Sequence, residues 1–412
     1  MWNKREISYA VVEVELDEPL RSLRVPPRRS GFAFVVRSSG TPLGFFMEAM
    51  REGEVLTARD MAARIMRHCG AQILREKIHE ELRGPLPNPP IPCVDIAICT
   101  HDRADVLARC LDSLRRVGAV SARQVRVLVI DNAPSDDRTA RLVENFRGVN
   151  YILEPKPGLD FARNRAIREA TADWIAFLDD DVVVDRGWLA GLQEGLQANP
   201  DAGAVTGPVL PLELETRAQI LFEQIGGFGS NFDRVRFGRA VVGIPTYPCG
   251  AGMFGAGCNM VFSRRVLVEL GGFDEALDTG APLPGGGDLD MFYRVVRAGY
   301  PLVREPKLLI YHQHRREYAK LRRQMWTWGL GSMACMTKSL RDDPAYRPKI
   351  LRWILWWFGY QVAKVFAPYL RRNRKPWPWD LAAAEIAGGI VGLLGEYDRS
   401  RKRVEALRRR YA

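Results

Sequence analysis

The sequence predicts an α/β protein with a mainly parallel sheet flanked by helices. Over residues 94–315, short β-branched runs alternate with segments at helical spacing, which is the pattern of such a sheet. A second observation sets the boundary of this unit: GPLPNPPIPC at 84–93 has five prolines in ten residues, which forbids a helix or a central strand. For a chain of 412 residues we therefore expect a small α+β domain at 1–83, a proline-rich linker, the α/β domain and a helical region at 316–412.

The first unit carries strand patterns and one helix. Apolar alternation in YAVVEVEL and GFAFVVR, followed by SSGT and PLGFFMEAM, predicts strands with a hairpin turn. A helix is predicted from Thr57, where Thr57 and Asp60 form a T-x-x-D capping box. No chemical motif is present in this unit, so we interpret it as an interaction or docking module.

In the α/β unit, the strand patterns end in polar residues. The predicted strands are VDIAICT, VRVLVID, VNYILE, DWIAFLD and, later, GCNMVF. Ligands of open α/β sheets bind at the C-terminal ends of the strands, so the residues that follow these runs are the ones to examine. Three ends are acidic: Thr100-His101-Asp102-Arg103, Asp131-Asn132 and Asp179-Asp180-Asp181. A carboxylate there can accept hydrogen bonds from a ribose hydroxyl or a base N–H.

The run Asp179-Asp180-Asp181 predicts a metal site. Three adjacent carboxylates repel one another unless a cation lies among them, and Mg²⁺ and Mn²⁺ bind carboxylate and phosphate oxygens together. Two other interpretations stay open, a solvated turn and an acidic N-cap for the helix that begins near Trp188.

A second cluster, Gly285-Gly286-Gly287-Asp288-Leu289-Asp290, precedes a helical pattern. Glycines let a loop approach a ligand closely, and Asp288 lies where the loop enters the helix. As an isolated feature Asp288 could equally be an N-cap. His312 and His314 follow the apolar run LVREPKLLI, and by themselves they are only a weak indication of a ligand site.

Taken in order, these segments resemble the family 2 glycosyltransferases, which are inverting enzymes of the GT-A fold. The resemblance covers about residues 94–315, roughly half of the chain. Each motif alone is common, but the ordered set is specific. It consists of IAICTHDRADVLARCLDSL, VLVIDNAPSDDRT, PGLDFARNRAIREATADWIAFLDDD, GCNMVFSR, GGFDE and GGDLDMFYRVVRAG.

The resemblance implies a donor site and a metal site. The donor is a nucleotide-diphosphate sugar, the metal is Mn²⁺ or Mg²⁺, and Asp180 contacts the ribose. Residue by residue, it assigns nucleotide recognition to Thr100, Asp102 and Asp131, a basic contact near the nucleotide to Arg163, and the metal to Asp179, Asp181 and His312.

The resemblance also implies the catalytic base, Asp288, which would take the proton from the acceptor hydroxyl. Here the sequence departs from the family, which often has Glu-Asp where this chain has Gly287-Asp288. Acceptor recognition is therefore expected to differ, and the acceptor is open among lipid-linked, peptide and small-molecule types. The alternative function is a sugar-nucleotide-binding scaffold without turnover. A dinucleotide-dependent dehydrogenase is excluded, because THDRAD follows the first strand instead of G-x-G-x-x-G.

Charge and apolar patterning bear on partners and location. The net charge is +11, with Arg and Lys crowded in the last hundred residues, but no zinc-finger, RNP or basic-zipper pattern is present, so no nucleic-acid partner is predicted. The Trp-rich stretch 350–395 leaves peripheral membrane contact and plain helix packing equally open. The scattered cysteines and the acidic N-terminal stretch favour the cytoplasm, at the inner face of the membrane if that stretch contacts lipid.

Overall fold

The computed structural model of the protein describes residues 8–83, 92–229, 231–241, 243–277, 283–370 and 377–411. The proline-rich linker predicted at 84–93 falls outside the described residues except for Pro92 and Cys93, so this boundary stays a prediction.

The N-terminal unit forms a three-stranded sheet with one long helix against it. Ser39 and Gly40 join two antiparallel strands, and both have positive φ, 48° and 74°, as a tight hairpin turn requires. At the helix start, the hydroxyl of Thr57 accepts the N–H of Asp60 at 3.1 Å, as the predicted capping box requires. The Asp60 carboxylate accepts the Thr57 hydroxyl at 2.7 Å, so the structure shows one half of the box. The elements are β1 Ala10–Glu15, β2 Leu23–Arg24, β3 Gly31–Ser38, β4 Thr41–Ala49, β5 Val55–Leu56 and α1 Ala58–Arg83.

The central layer is an eight-stranded sheet, and the α/β prediction is confirmed. Its strands are β6 Val94–Thr100, β7 Val125–Asn132, β8 Val149–Glu154, β9 Trp174–Asp179, β11 Ala204–Thr206, β13 Val235–Phe237, β14 Asn259–Ser263 and β15 Leu302–Arg304. They lie in the order β13-β15-β11-β14-β9-β6-β7-β8. The four strands from β6 to β9 are mutually parallel, whereas β14 runs antiparallel between β9 and β11. This is the mainly parallel α/β arrangement expected from the sequence.

A smaller three-stranded sheet lies beside the central one, in the order β10-β16-β12. Its strands are β10 Val182–Val184, β12 Val209–Pro211 and β16 Ile310–His312. None of these three-residue strands was predicted, because three residues are too few to show a period. Helices cover the sheets: α2 Ala104–Arg116, α3 Arg138–Glu144, α4 Leu159–Glu169, α5 Trp188–Ala198, α6 Arg217–Gln224, α7 Arg264–Glu269 and α8 Gly287–Arg297, with 3₁₀ turns at Ala119–Ser121 and Ala251–Met253.

The C-terminal region is helical, as predicted. It contains α9 Tyr318–Asp342, a 3₁₀ turn Pro344–Tyr346, α10 Arg347–Leu370, α11 Trp379–Val391, a π-type segment Gly392–Glu396 and α12 Tyr397–Arg410. Helices α9 and α11 touch backbone to backbone: a Cβ added at Gly329 would lie 1.9 Å from the carbonyl oxygen of Glu385. Within the described residues, no helix combines the length and the apolar character that crossing a bilayer requires.

The N-terminal unit packs on the small sheet through a buried ion pair. The guanidinium of Arg37, which is fully buried, contacts Asp185 and donates to the Tyr311 hydroxyl at 2.9 Å. Tyr311 lies in β16 and directly precedes His312. The N-terminal unit therefore supports the strand that carries one of the predicted metal ligands.

Candidate active site

Parallel pairing brings the predicted strand-end residues to one edge of the sheet. In the register between β6 and β7, Thr100 pairs with Asp131. On the other side of β6, Cys99 pairs with Asp179 of β9. The three acidic strand ends therefore meet, as the sequence predicted, because parallel strands end at the same edge.

Asp180 is held by its neighbours in an almost completely buried position. The Thr100 hydroxyl donates to it at 2.7 Å, and Nη1 of Arg103 donates at 2.6 Å. Burial raises the pKa of Asp180 to about 7, although Arg103 opposes this rise. Both interpretations of the aspartate run as a solvated turn or as a helix cap are wrong: Asp180 and Asp181 are buried, and the N-cap of α5 is Gly187.

Asp179, Asp181 and His312 form a group that could hold a metal ion. One ligand atom from each lies within 4.8 Å of the others, and Nε2 of His312 is 3.2 Å from Oδ1 of Asp181. Strand pairing brings them together, since His312 of β16 lies opposite Val182 of β10. Burial would raise the pKa of Asp181, but His312 and Arg103 lower it below its ordinary value. Two carboxylates and an imidazole are a donor set that could hold a divalent metal ion.

His314 supports His312 from behind. The Nδ1 atoms of the two rings are 3.2 Å apart, and Nε2 of His314 is 2.6 Å from a carboxylate oxygen of Glu223 in α6. Burial lowers the pKa of His314, although Glu223 opposes this shift. The ring of Phe228 lies edge-on against His312, with centroids 5.0 Å apart. These contacts fix the orientation of the His312 imidazole, which is the usual role of residues behind a metal ligand.

Asp288 lies at the start of α8 and reaches back toward the acidic cluster. The N-cap of α8 is Gly286, no side chain caps this helix, and the N–H of Gly257 donates to Oδ2 of Asp288 at 3.0 Å. The interpretation of Asp288 as an N-cap is therefore wrong. Burial raises the pKa of Asp179, and the charges of Asp181 and Asp288 raise it further. Asp288 is partly exposed.

Arg163 lies near Asp288, beside Gly257. It is buried, and its Nη1 donates to Asp160 at 2.9 Å. A Cβ added at Gly257 would meet Oδ2 of Asp288 at 2.9 Å and Nη2 of Arg163 at 3.2 Å, so both groups flank the same point. The positive charge of Arg163 also opposes the rise in the pKa of Asp179. Arg163 thus lies among three acidic residues, Asp160, Asp179 and Asp288. Its role as a nucleotide contact stays a prediction.

Asp131 and Asp102 lie on the far side of Thr100. Asp131 is fully buried and accepts the Tyr151 hydroxyl at 2.9 Å through Oδ2, while its Oδ1 has no hydrogen-bond partner among the described residues. Burial raises the pKa of Asp131. Asp102 has φ +54° and accepts the N–H of Ser135 at 2.8 Å. An unsatisfied buried acceptor fits a donor group from a ligand.

Sequence reasoning missed several residues that complete this site. Arg103 was part of the strand-end motif, yet nothing in the sequence showed that it would bind both Asp180 and Asp181. Asp160 belongs to the quoted segment PGLDFARN, three residues before Arg163, and this helical spacing was an available signal for their pairing. Tyr151 and Glu223 carried no local signal, because their partners are distant in sequence.

The chain is similar in sequence to known glycosyltransferases. The sequence profile of glycosyl transferase family 2 matches residues 95–270. The chain is 31% identical to the succinoglycan biosynthesis protein ExoM of Rhizobium meliloti over 224 residues, 53% of this chain and 66% of that protein. It is 24% identical to the glucosyl-dolichyl phosphate glucuronosyltransferase of Haloferax volcanii over 195 residues, 44% of this chain and 56% of that protein.

A mannosyltransferase structure from Pyrobaculum calidifontis, in complex with GDP-Man and Mn²⁺, also aligns with this chain. It has a TM-score of 0.48 and 16% identity, covering 81% of this chain and 97% of that one. The chain spans less than two thirds of the length of both sequence relatives. The ordered motifs and the matched profile together lead to one conclusion: residues 95–270 of the chain form a glycosyl transferase family 2 domain.

Proposed function

We propose that this protein is an inverting, metal-dependent glycosyltransferase that moves a sugar from a nucleotide-diphosphate donor to an acceptor hydroxyl. The observation that carries the proposal is a partly exposed aspartate at the start of α8 together with a separate group of side chains that could hold a metal ion. Asp288 is that aspartate, and Asp179, Asp181 and His312 form the group. Asp288 and Arg163 flank the same point beside Gly257, and the charge of Asp288 raises the pKa of Asp179.

The donor side suits a nucleoside diphosphate. The buried Oδ1 of Asp131, which has no hydrogen-bond partner in the part of the chain that the structure describes, offers an acceptor for a base N–H or a ribose hydroxyl. A divalent cation held by Asp179, Asp181 and His312 would supply positive charge that neutralises the departing diphosphate.

Asp288 acts as the general base in this proposal. It takes the proton of the acceptor hydroxyl while the acceptor oxygen forms a bond to the anomeric carbon. The bond from that carbon to the phosphate oxygen breaks, and its electron pair leaves with the nucleoside diphosphate. Because the acceptor attacks from the side opposite the leaving group, the configuration at the anomeric carbon is inverted. General-base help of this kind contributes about 10²–10⁴-fold in rate.

The proposal also includes the chemical class of the acceptor. One relative is named as acting on a glucosyl-dolichyl phosphate, and we propose a lipid-linked sugar as the acceptor here, at the inner face of the membrane. Saccharide and peptide acceptors are the alternatives.

A donor panel tests the function. Thermal shift with each sugar nucleotide, with and without Mn²⁺, identifies the donor, and release of the nucleoside diphosphate measures turnover. NMR of the glycosylated product reports its anomeric configuration. Mn²⁺-dependent release with an inverted product supports the proposal. A donor that binds yet is never turned over, with lipid-linked sugar, small saccharide and peptide acceptors supplied, would favour the scaffold function instead.

A further inference from the structure

Helix α10 carries large apolar residues on its exposed side as well as on its buried side. Its inner side enters the main core, with Ile350 fully buried and Trp353 and Trp357 nearly so. Its outer side nevertheless faces solvent through large apolar residues, which are Leu351, Leu355, Trp356, Tyr360, Val362 and Phe366.

Helix α11 repeats this feature. It packs against α10 through Glu385, which accepts Gln361 at 2.7 Å and Lys364 at 3.1 Å. Positions on its solvent side recur every three to four residues, as the exposed side of a helix does. They continue into the π-type segment and are all apolar: Trp379, Ala383, Ala387, Ile390 and Leu394. We call these exposed apolar residues of α10 and α11 the outer face.

The charges around the outer face are mainly positive. Arg347, Lys349 and Arg352 are exposed on the first turns of α10. Of the nearby acids, Glu385 is buried in its contact with Lys364, and Asp380 accepts the hydroxyl of Tyr318. In sequence, the residues 371–375 that join the two helices read RRNRK. Tryptophan and tyrosine beside arginine and lysine are typical of segments that lie at the headgroup level of a bilayer.

We infer that the outer face binds the surface of an anionic lipid bilayer, with α10 and α11 lying along it rather than crossing it. Neither helix combines the length and the apolar character that spanning requires. A second copy of the chain is the less suitable occupant, because it would bring the same basic residues against Arg347, Lys349 and Arg352 and repel them. Anionic headgroups complement these charges, while the acyl boundary receives the apolar side chains.

The inner side of α10 lies against the segment that leads to Asp288. A Cβ added at Gly250 would meet Nε1 of Trp353 at 3.1 Å, so the inner side of α10 contacts the chain at Gly250. Gly257, seven residues later, donates its N–H to Asp288. That this docking would hold the enzyme on the bilayer that carries a lipid-linked acceptor rests on the proposed function, whereas membrane binding itself does not.

Co-sedimentation with vesicles tests the inference on the full-length chain. Vesicles of phosphatidylcholine alone are compared with vesicles containing about one-third phosphatidylglycerol, at salt from about 0.1 M to about 0.5 M. We expect binding only to the anionic vesicles, weakening as salt rises. The double variant Leu355→Glu with Trp356→Glu is expected to bind about tenfold or more weakly, because two charges replace apolar contacts.

Leu82→Glu is the matched control. Leu82 is 81% exposed on α1, far in sequence from the outer face, and Leu355 is 75% exposed on α10. Both positions are exposed, so an unchanged melting temperature is expected for each variant, and Leu82→Glu should bind vesicles like the parent chain. Equal binding by the Leu355/Trp356 variant would overturn the inference. A different result would also overturn it. In that case the parent chain does not bind anionic vesicles but self-associates in analytical ultracentrifugation, and the Leu355/Trp356 variant abolishes this self-association. Neither result depends on glycosyl transfer, so failure here is distinguishable from failure of the proposed function.

Discussion

The carboxylate of Asp160 fills the space beside Gly287 in which any other residue would place its Cβ. An atom added there would lie 2.0 Å from Oδ2 of Asp160. Gly287 directly precedes Asp288, and Asp160 binds Arg163, so this contact joins α4 to the start of α8. The family often has an acid at position 287, and here a carboxylate from another helix occupies the adjacent space.

Substitution of Gly287 by alanine is therefore expected to damage the site. The added methyl group must displace Asp160 or the first turn of α8, so we expect a loss of about 1–3 kcal/mol in the free energy of unfolding. Turnover should fall more than donor binding, because Asp288 moves. Gly285→Ala is the control, since a Cβ at Gly285 meets nothing within 4 Å. If the two variants had the same free energy of unfolding in denaturant titrations and the same rate of nucleotide release, the contact between Gly287 and Asp160 would be contradicted.

Removal of His314 should weaken metal binding without removing a predicted ligand. The contact of 3.2 Å between the two imidazoles orients His312, and loss of such a supporting group costs about 10–100-fold in metal affinity. The measurement is the Mn²⁺ concentration that gives half of the maximal thermal shift in the presence of donor. His79→Ala, an exposed histidine on α1, is the control and should leave this concentration unchanged. An unchanged Mn²⁺ requirement in His314→Leu would refute the supporting role.

The buried pair of Arg37 and Asp185 should be important for stability. Arg37→Ala leaves Asp185 buried without its partner, and breaking a buried pair in this way costs about 3–5 kcal/mol. Arg75 and Asp233 also join the N-terminal unit to the central one, at 2.7 Å, but Arg75 is exposed. Arg75→Ala is therefore expected to change the free energy of unfolding by about 1 kcal/mol or less. If urea titrations gave similar losses in the free energy of unfolding for the two variants, burial would not determine how much an ion pair contributes to stability.

Asp95 makes a pH-dependent contribution to stability. Burial would raise its pKa, but Arg126 and the N–H groups of Ala172 and Thr171 donate to its carboxylate and lower the pKa below the ordinary value. A carboxyl whose pKa is lowered by folding stabilises the protein fully above its unfolded pKa, and this contribution disappears as the pH falls through the folded value.

Asp95→Asn should accordingly be less stable than the parent at pH 7, by about 1–3 kcal/mol, and the gap should narrow below a pH of about 4. Urea titrations across this range measure it. A gap that stays constant, or widens, in acid would show that ionised Asp95 is not the stabilising form.

The sequence predicted those features that are local or repeated. The runs that became β6, β7, β8 and β9 were long enough to show their character, and their parallel order brought the acidic ends together. The strands β10, β12 and β16 have three residues each and show no period. No local pattern in the sequence therefore predicts that His312 lies beside Asp181. Only the resemblance to the family suggested this contact.

Contacts between distant segments were beyond prediction. Asp160 and Gly287 are far apart in the chain, as are Arg37 and Asp185, and no pattern within either segment specifies its partner. The interpretation of Asp288 as a helix cap failed for a related reason. The residue does lie at a helix start, but Gly257 from another segment satisfies its carboxylate. The outer face of α10 was visible in the sequence only as apolar content, because burial decides which of its sides is exposed.

The proposed mechanism is tested most directly by the turnover of the Asp288→Asn variant with the identified donor and Mn²⁺. Because no side chain of α8 caps the helix, this change should leave the melting temperature close to that of the parent. Donor-induced thermal shift should also persist, while nucleotide release falls by about 10²-fold or more through loss of the base. A folded variant that binds donor and transfers sugar at the parent rate would contradict the assignment of Asp288 and, with it, the proposed mechanism.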